Sequence, residues 1–212
     1  MNGMPKRLLI ANRGEIAVRV ARTAREMGIE PVGVFAAADA GAFHTTKMAR
    51  SVDLGSGPAS ETYLSIPRLI EAARHAGADA VHPGYGFLSE NAEFARAVEA
   101  AGLLWIGPPA AAIEKMGDKL EARRRMREAG VPVVPGSDAA SGAEASGLYE
   151  RGVALGFPLL VKASAGGGGK GMARVDSAET LAESIEQTAR VAEAAFGDGR
   201  VYLEKLFERP RH

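Results

Sequence analysis

The chain has 212 residues, 46% hydrophobic and 25% charged, with 26 Lys and Arg balanced by 26 Asp and Glu. That size and composition support a packed core in one large or two small domains and exclude global disorder, while zero net charge removes bulk electrostatics as a reason to bind nucleic acid or an anionic membrane. The lack of cysteine excludes disulfides, thiolate metal sites and thiol nucleophiles, and the four histidines (His44, His75, His82, His212) show no metal-ligand spacing.

Short apolar runs alternate with helical periods through the first half. Arg7 to Ala11 reads as a buried strand. Ile16, Val20, Ala24 and Met27 then mark a helix stripe that Gly28 ends. Pro31 to Phe35 predicts a second strand and Ser51 to Leu54 a weak third. A helix with Ile66, Leu69, Ile70 and Ala73 closes at Gly77, Asp79 to His82 forms a strand, and Ala92, Phe94, Ala95 and Val98 belong to the next helix. Leu103 to Ile106 is a further strand, stopped by Gly107-Pro108-Pro109. Such alternation predicts a doubly wound parallel sheet over roughly residues 1 to 110.

Two helical pieces follow. Asp118 is a candidate N-cap for the second, with Glu121 three residues later, and Gly130 ends it. Arg123, Arg124, Arg125 and Arg127 on this helix read as a solvated basic face. After a Ser/Gly/Ala-rich stretch and a helix ending at Gly156, Phe157 to Ala163 is a strand. A glycine run, Gly166 to Gly171 with Lys170 inside it, leads into strand-like Met172 to Val175. Ser177 is placed to cap a long helix carrying Leu181, Ile185, Ala189, Ala192 and Phe196, and Arg200 to Phe207 is a last strand. No apolar run approaches the roughly 20 residues that span a bilayer, and the start is not a signal sequence, so no membrane association and a cytoplasmic location are expected.

The glycine run fits neither of two phosphate-binding patterns. Ser164 stands where a P-loop needs its first glycine, and Gly171 where it needs Ser or Thr after the lysine. A dinucleotide fingerprint opens a helix, whereas here a strand follows, and the first strand–helix turn, Ala11 to Ile16, holds one glycine instead of three. What remains is a glycine hairpin between strands, able to lie over a nucleotide with its backbone N–H groups facing phosphates, and Lys162 sits in the strand leading into it. A plain hairpin with a surface lysine fits the same residues. The loop His82-Pro83-Gly84-Tyr85-Gly86-Phe87-Leu88-Ser89-Glu90-Asn91 lies at the carboxyl end of a strand, where open sheets place ligands, and Ser89 is placed to cap the next helix. A tight turn with buried aromatics explains it equally well, and His82 alone reads as structural. Glu204 and Lys205 point to opposite faces of the last strand, whose backbone is suited to reading an adenine edge or to standing as an exposed sheet edge.

Together these stretches resemble the N-terminal half of biotin carboxylase, an ATP-grasp enzyme that also forms part of acyl-CoA and pyruvate carboxylases. The matching segments are residues 10–20 (IANRGEIAVRV), 82–95 (HPGYGFLSENAEFA), 106–108 (IGP), 116–119 (MGDK), 129–137 (AGVPVVPGS), 157–172 (FPLLVKASAGGGGKGM) and 201–212 (VYLEKLFERPRH), in family order and spacing. The resemblance implies an α/β fold: a Rossmann-like pre-ATP-grasp domain over residues 1–114, a helical linker over 115–135, an α+β ATP-grasp lid over 136–205, and at 206–212 the start of a C-terminal ATP-grasp portion that is otherwise absent. It implies ATP-binding roles for Lys119, Lys162, Gly168, Gly169, Glu204, Lys205, Leu206, Phe207 and His212. Tyr85 and Gly86 would belong to a loop at the carboxylation site. Arg19, Arg22 and Glu26, on one face of the first helix, would form a dimer contact.

The family activity would be carboxylation of biotin on a carrier protein, using ATP, bicarbonate and Mg²⁺, with a biotin carboxyl carrier protein or domain, a carboxyltransferase subunit and a second copy as partners. The family's magnesium carboxylates and catalytic residues would lie beyond His212, so no catalytic or metal-binding residue is expected within the chain and activity alone is not expected. Two other readings stand beside it: a non-catalytic ATP-binding or partner module, and another ATP-grasp ligase such as a carbamoyl-phosphate synthase. The sequence departs from the family at Ala173-Arg174, where the arginine usually comes one residue earlier, and matches it poorly from Ala36 to Leu54.

Overall fold

A computed structural model describes residues 3–117, 119–140, 146–164 and 171–211. The chain forms two compact units, Met1–Glu114 and Lys115–His212. In the first, strands β1 (Arg7–Ile10), β2 (Glu30–Phe35), β3 (Arg50–Asp53), β4 (Ala80–His82) and β5 (Leu104–Trp105) form a parallel sheet in the order β3-β2-β1-β4-β5. Helices α1 (Gly14–Glu26), α2 (Phe43–Thr46), α3 (Ile66–His75), α4 (Ala92–Ala100) and α5 (Ala110–Gly117) connect and follow the strands. Alternation along β1 sends Leu9 into one core with α3 and α4, while Leu8 and Ile10 enter another with α1. Both faces of the sheet are therefore covered, the condition a parallel sheet requires.

The α1 stripe differs from the one its larger apolar residues suggest. Ala17, Ala21 and Ala24 are buried, Val20 flanks them, and Met27 is 49% exposed. Small side chains let the helix lie close on the sheet, so the alanines take the contact face. α4 is capped by Asn91, whose side chain accepts the Phe94 N–H at 2.8 Å, and not by Ser89, whose backbone closes a turn onto Gly86. The fifth strand is also shorter than its apolar run.

The second unit holds helices α6 (Lys119–Glu128), α7 (Ser146–Leu155) and α8 (Leu181–Phe196), with strands β6 (Leu159–Ala163), β7 (Met172–Val175) and β8 (Val201–Lys205). These strands form an antiparallel sheet in the order β7-β6-β8. Leu159, Val161, Val201 and Leu203 face a core shared with Leu148, Leu181 and Ile185. Residues 136–140 run along the free edge of β8, where Ser137 N–H donates to the Leu203 carbonyl and Ala140 N–H to that of Val201. Ser177 does not cap α8. It precedes a short 3-10 turn, Ala178–Thr180, and its hydroxyl donates to the Glu179 carboxylate, so the helix begins one turn later.

Candidate functional site

The antiparallel register of the second sheet gathers one set of polar side chains on the face away from its core. Leu160 pairs with Glu204 and Arg174, and Lys162 with Tyr202 and Met172, so all of these share a face by alternation. Lys162 Nζ donates to Glu204 Oε2 at 2.6 Å, with 19% and 15% of the two side chains exposed. The ring of Tyr202, itself fully buried, lies 5.6 Å from Lys162 Nζ. Burial pulls the Lys162 ammonium down, but the Glu204 hydrogen bond and charge outweigh it and hold its pKa above the ordinary lysine value. Lys162 thus stays a cation in a place largely removed from water.

Arg123 joins this cluster. Its guanidinium lies 3.8 Å from Glu204 Oε1 and 5.7 Å from the Tyr202 ring, with 12% of its side chain exposed. Its Nη2 donates to the Val134 carbonyl at 3.0 Å and Nη1 to that of Ser137 at 3.4 Å. The solvated-face reading of the arginine run therefore fails at Arg123. It holds at Arg124 and Arg125, which pair with Glu121, and Arg124 also with Glu128, along the helix. Spacing carried a signal for Arg123, which stands four residues after Lys119 on the same face of α6. What sequence cannot display is its partner Glu204, 81 residues on.

The remaining residues of the last strand are placed differently. Lys205 points away from Glu204, and its Nζ donates to the Phe157 carbonyl at 2.9 Å. The Lys205 N–H is engaged by Pro135 and the Leu206 N–H by Pro158, so a base edge in this segment would be read by other backbone groups of residues 204–207. Phe207 is 56% exposed. Lys119 opens α6 and is half-buried. Arg174 pairs with Asp176 and Glu208 on the Lys162 face of the sheet. Gly168, Gly169, Lys170, His212 and the expected Asp118 cap lie outside the described residues.

In the first unit, Tyr85 and Gly86 sit in the loop between β4 and α4. The topology reverses between β1 and β4, and open sheets take ligands in that crevice. Here Asn12, 1% exposed, occupies it and donates through Nδ2 to the carbonyls of Pro83 at 2.8 Å and Tyr85 at 2.9 Å. Gly84, at φ +68°, is needed because a Cβ there would meet Asn12 Nδ2 and Ile16 Cγ2, each at 2.7 Å. Phe87 adopts φ +42°, a strained conformation for an aromatic residue. It is held by stacking on Tyr63 at 5.2 Å, with the Arg13 guanidinium 5.2 Å from the Tyr63 ring and 5.7 Å from its own. Asp39 completes the clamp, accepting from Tyr63 Oη at 2.6 Å and Arg13 Nη1 at 2.9 Å. Sequence reasoning missed Asn12, Asp39 and Tyr63, since their partners come from separate loops. Tyr85 itself is exposed and bonds to Glu15, which raises its phenol pKa. His82 is structural: its Nδ1 accepts the Gly84 N–H at 2.9 Å, and burial lowers its pKa.

Arg19, Arg22 and Glu26 are exposed on α1, and Arg19 donates to Thr23 Oγ1 at 2.6 Å. Arg19 and Arg22 line a cavity of about 520 Å³ with Arg13, Asp39 and Phe43. Among the described residues no group of three or more His, Asp or Glu is placed to hold a metal, and Glu204, the carboxylate of the polar cluster, is already paired. Magnesium is therefore not assigned to these residues. Among them, too, no helix is long and apolar enough to cross a membrane.

Residues 4–113 match the family model "Biotin carboxylase, N-terminal domain", and residues 118–212 match "Carbamoyl-phosphate synthase L chain, ATP binding domain". The chain is 47% identical to a biotin carboxylase of Haemophilus influenzae over 209 residues, covering 99% of this chain and 47% of that protein. A crystal structure of a biotin carboxylase–β,γ-ATP complex from Campylobacter jejuni superposes with a TM-score of 0.86 at 44% identity, over 98% of this chain and 46% of that one. A second, the biotin carboxylase domain dimer of 2-oxoglutarate carboxylase from Hydrogenobacter thermophilus with MgADP, ADP and bicarbonate, gives 0.84 at 41%, over 98% and 45%. The chain spans somewhat under half the length of these relatives.

Proposed function

The chain belongs to the biotin carboxylase family, and from that premise we propose that it forms the N-terminal part of an enzyme that uses ATP and bicarbonate to carboxylate biotin on a carrier protein. The observation that carries the reading is Lys162: an ammonium kept charged and mostly out of water, in the strand that leads into the glycine run. A fixed cation in such a place attracts a phosphate more strongly than one in bulk water. Lys162 and Lys119 would hold the phosphates, with Gly168 and Gly169 of the lid laid over them. Glu204, Lys205, Leu206 and Phe207 would hold the adenine, and His212 would contact the nucleotide. Magnesium, supplied with the nucleotide, would offset phosphate charge; its protein ligands are not assigned to this chain. Tyr85 and Gly86, exposed at a loop tip fixed from behind by Asn12 and Phe87, would meet the biotin of the carrier. A carboxyltransferase subunit and a second copy docked at Arg19, Arg22 and Glu26 would be the further partners, and a cytoplasmic setting fits this chemistry. The carbamoyl-phosphate synthase reading draws on the match of the second unit alone, whereas the matches that run the length of the chain are to carboxylases.

Two measurements test the proposal. In calorimetric titration, Lys162→Ala is expected to weaken ATP binding by about tenfold or more, as removal of a charge-assisted contact does. Equal affinities would remove Lys162 from the phosphate site. In a steady-state assay with free biotin and bicarbonate, the 212-residue chain is expected to hydrolyse ATP no faster than a heat-treated control. Turnover dependent on both substrates would overturn the assignment of catalytic residues outside this chain.

A further inference from the structure

We propose that Arg123 is a positioning residue for the nucleotide: it keeps the Glu204 carboxylate paired when Lys162 leaves it for a phosphate. The inference rests on the nucleotide-site reading above and deepens it. A lysine ammonium has three N–H donors, but a carboxylate held at 2.6 Å competes with a phosphate for its charge. Where a phosphate draws the ammonium away from Glu204, the carboxylate loses its closest cation with only 15% of its side chain exposed. Stranding a buried charge is among the costliest single changes in a protein. Glu204 therefore opposes the binding that Lys162 serves, unless a second cation stays behind.

Arg123 is placed as that cation. Its guanidinium stands 3.8 Å from Oε1, the carboxylate oxygen that Lys162 does not use. That separation is an ion pair longer than a hydrogen bond, so the pair has room to close when Lys162 departs. The Val134 and Ser137 carbonyls anchor the guanidinium, and its buried Nε has no hydrogen-bond partner among the described residues, leaving a donor unused. An arginine stays charged and offers a planar fork to a carboxylate. Gly136 permits this geometry, since a Cβ there would meet Arg123 Nη2 at 2.8 Å.

The test separates this role from direct phosphate contact and from a purely structural one. ATP and adenosine are titrated calorimetrically into the 212-residue chain, Arg123→Met, Glu204→Gln and the double variant. Arg123→Gln serves as a second single variant, because its amide still reaches toward the carbonyls while its charge is gone. Arg123→Met and Arg123→Gln are each expected to weaken ATP binding by about tenfold or more and to leave adenosine binding unchanged, while Glu204→Gln, which removes the carboxylate that competes for Lys162, serves as the background for the double variant. In the Glu204→Gln background, where no carboxylate is left to strand, Arg123→Met is expected to add no further loss. A loss of ATP affinity as large in that background would overturn the inference, since Arg123 would then act on the phosphate itself. A parallel loss for adenosine, or no loss for ATP, overturns it too. A wild-type chain that binds neither ligand removes the nucleotide-site reading and this inference with it, a failure visible without any variant.

Discussion

Tyr63 is a phenol with 1% of its surface exposed, donating to Asp39 and accepting the Ala36 N–H at 3.0 Å. Burial, reinforced by the Asp39 carboxylate, pushes its pKa from 10.0 to about 12. Because the folded value lies above the unfolded one, the linked stability is fully present below pH 10. It is lost as the pH rises from 10 to about 12. The amount is on the order of 2 kcal/mol. Asp39 has the opposite sign: Tyr63 and Arg13 lower its pKa, so its contribution is lost as the pH falls below the usual aspartate range. Tyr63→Phe keeps the stack on Phe87 but leaves Asp39 and the Ala36 N–H short of a partner. It is expected to destabilise the chain by about 1–2 kcal/mol at neutral pH. The gap from wild type should then narrow between pH 10 and 12. Urea midpoints across that range check both parts, and a constant gap would show that the phenol does not titrate late. Little of this clamp was legible in sequence. Tyr85 and Phe87 drew attention through their glycine neighbours, while Asp39 and Tyr63 sit in segments with no pattern of their own and meet only in the fold.

At the scale of elements, periodicity located most strands and helices, because alternation and helical spacing are local properties. Ends and caps were less legible. Ser89 and Ser177 have the right side chain for a cap, yet the backbone turns elsewhere, at Asn91 and after Thr180. The edge partner of β8 was missed altogether. Residues 137–140 belong to the Ser/Gly/Ala-rich stretch, which shows no strand pattern, and their pairing with β8 depends on Gly136 lying against the next backbone. A Cβ on Gly136 would stand 2.2 Å from the Leu203 carbonyl oxygen, far inside contact distance, and that atom belongs to a strand bonded on both sides. Gly136→Ala is therefore expected to cost about 1–3 kcal/mol, the usual range for overpacking against atoms that cannot move aside. Gly3→Ala, where a Cβ meets nothing within 4 Å, is the control and should leave stability unchanged. Denaturant midpoints by far-UV circular dichroism distinguish the two, and matching midpoints would mean that residues 136–140 yield freely.

For the whole molecule, the parallel sheet was the most legible feature, since strand and helix alternation constrains topology strongly. Assembly is a different matter, because an exposed charged helix face looks the same whether it meets water or another protein. Arg19, Arg22 and Glu26 recur on one side of α1, while Ala17, Ala21 and Ala24 hold the other side to the sheet. These three charges therefore add nothing to the core and are available for contact. Phe43, 67% exposed, lines the same cavity as Arg19 and Arg22, which puts an apolar contact beside the arginines. An aromatic residue next to arginine is a combination enriched in protein interfaces. A two-fold contact would oppose this surface to its own copy, with Glu26 placed to offset the arginines of the partner. Such a patch is small against the roughly 1,000 Å² that a stable interface needs, so a weak dimer is expected from the 212-residue chain. Sedimentation velocity over a concentration series should show reversible dimerisation, weakened by Arg19→Glu through repulsion between acidic groups and by Phe43→Ser through lost apolar contact. A second copy docking elsewhere would leave both variants indistinguishable from wild type, and a monomer at every concentration would reject the interface.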